Sequence, residues 1–108
     1  MPKKTERIVD QGLRNSLEEA HVALKSGDYR KVVDLSAAAY VALLKRRPEM
    51  MQGPDQFRNV MFFPRLGAHL VINNSGQPEV VYDREKFIFS EAVTYFEYAV
   101  DNIVKAGV

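Results

Sequence analysis

The sequence predicts a mainly α-helical fold of the α+β kind. An antiparallel helical hairpin comes first, then a small β-hairpin, then a long C-terminal helix packed on the helical hairpin. Three observations predict it. Apolar residues recur every three or four positions over residues 5–47 and again over 83–106. Between them lies "FFPRLGAHLVINNSGQPEVVYD", an aromatic and β-branched stretch broken by Pro and Gly. The chain has 108 residues, of which 46% are hydrophobic, which suits one domain over residues 1–108 with a core of its own.

The first helix is expected over residues 5–26. Val9, Leu13, Leu17, Ala20 and Leu24 make one stripe at 100° per residue. Gly27 suits the left-handed C-cap. Ser16 and Glu19 have capping-box spacing, so the helix could restart there, and Gly12 weakens its beginning. Asp28 is a good N-cap for a second helix running to about Arg47. Tyr29, Val32, Ser36, Ala39, Tyr40 and Leu43 lie along its main face. Lys45, Arg46 and Arg47 complement its dipole, and Pro48 stops it. A connection of one or two residues makes the two helices antiparallel.

Residues 49–56 read as a loop. "RNVMFF" and "AHLVIN" favour strands, with Pro64 and Gly67 between them. "NNSGQP" is a turn cluster, because Asn and Gly accept the positive φ of a tight reversal. A β-hairpin over residues 68–82, turning at 74–76, follows, and residues 58–63 are a candidate third strand. Asp83 is expected to cap the last helix, which continues to about Ala106 and ends at Gly107. The hairpin is expected to carry the chain across the end of the bundle, with Phe62, Phe63 and Val80 to Tyr82 sealing the core there.

Composition narrows the function. Fifteen Lys and Arg against fourteen Asp and Glu leave a net charge of +1, which argues against nucleic acid and anionic membrane as partners. No cysteine is present, which removes thiolate catalysis, disulfides and Cys-based metal sites and fits a cytoplasmic setting. The charged N-terminus lacks the apolar segment of a secretory signal, and no apolar run approaches bilayer length. No Gly-rich phosphate loop or nucleophile elbow occurs, and nothing calls for a cofactor.

Two constellations carry potential chemistry. Glu18 and His21 have the Glu-x-x-His spacing of carboxylate-bundle metal sites, with Glu91 or Glu97 as a further carboxylate. One such motif is half of what a two-metal site needs, so no metal is expected and the pair reads as a solvated helix edge. Arg65 and His69, with Arg58, could hold an anion, and His69 could move a proton. The bland reading is a His at a sheet margin.

"SLEEAHVALKSGDYRKVVDLSAAAYVALLKRRP" resembles a helical hairpin of the tetratricopeptide type, with Gly27, Asp28, Tyr29 and Ala39 at that repeat's turn and small-residue positions. "LSAAAYVALLK" is similar in texture to the higher-eukaryote and prokaryote nucleotide-binding (HEPN) helical domain. The first resemblance implies protein interaction. The second implies nucleotide binding or a nuclease that would use Arg58, Arg65 and His69.

The expectation is a non-catalytic interaction or assembly module that forms a homodimer. The last helix carries an apolar arc of about 180°, wider than a covering helix needs. Ile88, Ala92, Ala99 and Ile103 are expected to face the helical hairpin. Phe87, Phe89, Val93, Tyr98, Val100 and Val104 are then the candidate interface.

Overall fold

A computed structural model describes residues 4–51 and 66–108. Three helices, α1 (Gln11–Ser26), α2 (Tyr29–Arg46) and α3 (Phe89–Ala106), are accompanied by a hairpin of β1 (Ala68–Ile72) and β2 (Pro78–Tyr82). Short 3-10 turns at Lys4–Arg7 and Pro48–Met51 precede α1 and follow α2. Among the described residues no helix is long and apolar enough to cross a membrane.

The first helix starts later than its periodicity suggests. Asp10 is the N-cap, in extended backbone, and its carboxylate accepts from the Leu13 N–H at 2.9 Å. Ser16 and Glu19 therefore lie inside one continuous helix, with no restart at Ser16. Before the cap, Ile8 is buried, and the Arg14 guanidinium forks onto its carbonyl at 3.0 and 2.7 Å. At the other end Gly27 takes φ 86°, which a side chain would resist, and the Asp28 N–H reaches back to the Ala23 carbonyl at 2.9 Å. Asp28 then caps α2 as the sequence indicates.

Glu19 pairs with Lys31 at one end of the α1–α2 hairpin, and Asp10 pairs with Arg46 at the other, which fixes the two helices as antiparallel. Helix α3 runs parallel to α2. The Phe89 ring meets Tyr29 at 5.9 Å, Tyr98 meets Tyr40 at 5.4 Å, and Arg47 reaches the Ala106 carbonyl at 3.4 Å. Helix α2 is the central element, packed on both others. This is why "LSAAAYVALL" mixes small and large apolar residues: Ala37, Ala39, Tyr40, Leu43 and Leu44 are all buried, as are Val32 and Val33 before it.

A parallel α2–α3 pair has a topological requirement. The chain leaves α2 at one end of the bundle and must return to the other before α3 starts. The hairpin therefore lies along the flank of α2 and α3 and does not cross the bundle end as expected. Its register pairs Ala68 with Tyr82, Leu70 with Val80 and Ile72 with Pro78. Ala68, Leu70 and Pro78 are buried, while His69, Val71, Glu79 and Val81 occupy the other face. The turn falls where "NNSG" places it. Asn73 Oδ1 accepts from the Ser75 and Gln77 N–H groups, and Gly76 takes φ 76°.

The start of α3 corrects a second expectation. Asp83 is not its N-cap. The Asp83 N–H still donates to the Gly67 carbonyl at 2.7 Å, extending the sheet ladder, and its carboxylate faces His69. Residues 83–88 form a link that drops Phe87 into the core, and the helix begins after Ile88, whose N–H donates to the Glu91 carboxylate at 3.1 Å. The apolar wheel places Ala92, Ala99 and Ile103 correctly in the core, but Ile88 is exposed. The proposed strand at residues 58–63, with Phe62 and Phe63, lies outside the described residues.

Candidate functional site

Among the described residues, three side chains bond the hairpin and the residues flanking it to the helices. The Tyr95 hydroxyl, fully buried on α3, donates to the Ala68 carbonyl at 2.8 Å and accepts from the N–H groups of Ala68 at 3.0 Å and Leu66 at 3.1 Å. One donor and two lone pairs are all a phenol has, so this group is saturated. Tyr82, on β2, donates its hydroxyl to Asp34 of α2, while the Arg30 guanidinium lies 3.9 Å above its ring and pairs with the same carboxylate. Burial, then the neighbouring Asp34 charge, pushes the Tyr82 phenol up to about 12. Arg84 bonds the Leu66 carbonyl and Glu91. Burial opposes the charge on Glu91, but the Ile88 N–H and the Arg84 guanidinium outweigh it and hold the carboxyl below its ordinary value. Phe87 is wedged between Tyr82 and Tyr95 in two edge-to-face contacts.

On the opposite face of the sheet, His69 Nδ1 lies 2.9 Å from the Asp83 carboxylate. A carboxylate acceptor at Nδ1 selects the tautomer that leaves Nε2 as the basic nitrogen. Asp83 stands two residues beyond Val81, the register partner of His69, so the pair is a cross-strand diagonal. Arg58 and Arg65, its two expected companions, lie outside the described residues.

Comparison with known protein families, characterised proteins and solved structures finds no match for this chain.

Among the described residues the partners of the Glu-x-x-His pair are engaged elsewhere. The His21 ring stacks on Phe96 at 5.8 Å, Glu91 is held by Arg84, and among the described residues no group of three or more His, Asp or Glu could hold a metal ion. The basic cluster divides. Arg46 is bound to Asp10, Arg47 turns to the end of α3, and Lys45 is exposed.

The candidate interface residues also divide. Phe87 and Val100, 7% and 1% exposed, belong to the core. Tyr98 and Val104 are half-buried against it, Tyr98 in a hydrogen-bonded pair with Tyr40. Burial, then Tyr40, raises the Tyr98 phenol well above its ordinary value. Phe89 is 55% exposed, next to Ile88 at 60%. Val93 is half-buried one turn on. Sequence reasoning included Phe87 by running a helical wheel past the real start of α3, and it missed Ile88 for the same reason. Tyr95 carried no signal beyond its place on the apolar arc.

Proposed function

We propose that this chain is a non-catalytic, cytoplasmic protein-interaction module that forms a homodimer through the first turns of α3. The observation that carries this reading is the adjacent exposure of Ile88 and Phe89. Scattered apolar residues are normal on a monomer, whereas a contiguous patch marks a contact surface. Tyr29, touching Phe89, and Val93 extend the patch across the ends of α2 and α3.

Its size sets the strength. A Phe at this exposure keeps roughly 100 Å² of surface, and the patch adds up to roughly 300 Å² per subunit. Two such faces reach about half of the 1,200 Å² at which stable interfaces begin, so the association is micromolar or weaker. Light scattering and sedimentation equilibrium from micromolar to millimolar protein test it. The double variant Phe89→Glu, Val93→Glu should be a folded monomer by circular dichroism. A wild-type monomer throughout the range sinks the proposal, and an unchanged dimer in the variant assigns the contact elsewhere.

The His69–Asp83 pair favours a second reading, a small-ligand or nucleotide-binding domain or a HEPN-like nuclease using Arg58, Arg65 and His69. Nucleotide binding or RNA cleavage by purified protein, lost in His69→Ala, would support it, and self-association would then be unaffected by that variant.

A further inference from the structure

Arg47 differs from the carboxylate-paired arginines, and from Arg14, whose guanidinium makes two bonds to the Ile8 carbonyl. Arg30 and Arg46 each pair with a carboxylate, and Arg84 does the same at the start of α3. Among the described residues the half-buried Arg47 guanidinium makes one long bond, 3.4 Å, to the Ala106 carbonyl. A guanidinium has five N–H donors in a planar fork that matches a carboxylate. Arg47 lines a hollow of about 340 Å³ between the C-terminal ends of α2 and α3, together with Glu49, Met50, Asn102, Lys105 and Ala106. Neither Lys105 nor Glu49 forms an ion pair with a described residue. Asn102 is oriented by its amide N–H bond to the Tyr98 carbonyl at 2.8 Å.

We infer that this hollow binds a small monocarboxylate with a short aliphatic tail, the carboxylate on Arg47 and Lys105 and the tail on Met50 and Ala106. Charge decides for a monoanion. Arg47 and Lys105 against Glu49 leave one positive charge. The two helix ends together contribute about −1 and lower that balance further, so a second negative charge on a ligand has nothing to pair with. A phosphate ester or a nucleic-acid backbone would bring more negative charge than the site balances, and Glu49 would repel it. Met50 and Ala106 pack against the core, so they present a fixed apolar floor. The volume is at the small end of ligand pockets. The site is independent of the Phe89 patch, because the two lie at opposite ends of α3, roughly 25 Å apart.

The experiment is an NMR titration of the whole chain with acetate, butyrate and hexanoate at constant ionic strength, with butanol and sodium sulfate as controls. Amide shifts should centre on Arg47, Asn102 and Lys105. Affinity should rise by up to about fourfold per methylene until the hollow is filled. Arg47→Gln should abolish the shifts. Because that change also removes the bond to Ala106, Lys105→Gln, at an exposed position, is the second variant, and it should weaken binding severalfold with an unchanged circular dichroism spectrum. The inference is overturned by an absence of shifts at millimolar carboxylate. Shifts that sulfate or butanol reproduces, that ignore chain length, or that persist in both variants overturn it equally.

Discussion

Replacing Tyr95 by Phe tests what attaches the β-hairpin to the helices. The change removes one oxygen and keeps the ring, with its edge-to-face contact on Phe87. Three hydrogen bonds go with it. Their backbone partners cannot be mutated away, so each is left without its partner. Ala68 is fully buried, and both its N–H and its C=O lose the hydroxyl. Leu66 is 40% exposed, and its N–H can turn to water. An orphaned buried group costs about 1–3 kcal/mol, so the two on Ala68 together cost about 2–5 kcal/mol once a little relaxation is allowed. A domain of this size is stable by about 5–15 kcal/mol, so a large part of its stability rests on this oxygen. Urea unfolding followed at 222 nm should show the loss as a lower midpoint with an unchanged slope. Hydrogen exchange at the Ala68 amide should accelerate well before that of the α1–α2 hairpin. A loss below about 0.5 kcal/mol, with Ala68 still protected, would refute the reasoning.

Two further outcomes follow from the same region. Tyr82 has a folded-state value of about 12 against an ordinary 10.0, so its contribution is fully present below pH 10 and is lost as pH rises towards 12; a difference titration at 295 nm between wild type and Tyr82→Phe should recover one phenol ionising near 12, and a transition near 10 would contradict the docking on Asp34. At Gly67 an added Cβ would lie 2.7 Å from Arg84 Nε and 2.7 Å from the Phe87 ring; the arginine can swing aside but the buried ring cannot, so Gly67→Ala should destabilise by about 1–3 kcal/mol, and a neutral effect in thermal unfolding would show that the 83–88 link yields freely.

Much of the fold is legible in the sequence where the deciding chemistry is local. Gly27, Asp28 and Pro48 bracket α2 with the backbone preferences of single residues, and Asn73 with Gly76 specifies the hairpin turn. The end of α3 at Gly107 is of the same kind. The misplaced boundaries are those where local chemistry offers two answers. Asp83 is as good an N-cap as Asp10. What separates them is tertiary: Asp83 is engaged by His69 and by the sheet ladder, while Asp10 faces Arg46 across the helical hairpin. The Leu13 N–H first, and Arg46 next, hold the Asp10 carboxyl below its ordinary value.

The candidate sites were legible to a lesser degree. Strand alternation sets His69 and Val71 on one face and Leu70 and Ile72 on the other, yet which face meets the helices, and what partners His69, follow only from the register and the packing. Arg47 reads in the sequence as helix-end charge like Lys45 and Arg46. Its distinct position comes from the parallel approach of α3, for which no short stretch of sequence carries a signal.

That parallel approach has a kinetic consequence. The helical hairpin closes across two residues and can form at once, whereas Arg47 and the Ala106 carbonyl it touches are 59 residues apart. Bringing such distant points together costs roughly 3–4 kcal/mol of chain entropy before any contact repays it. The β-hairpin falls within that interval and forms locally on a microsecond scale. Once formed, it shortens the effective tether between α2 and α3. It therefore acts as a folding strut as well as a covering layer, and a chain whose hairpin turn is loosened should reach the same native state more slowly.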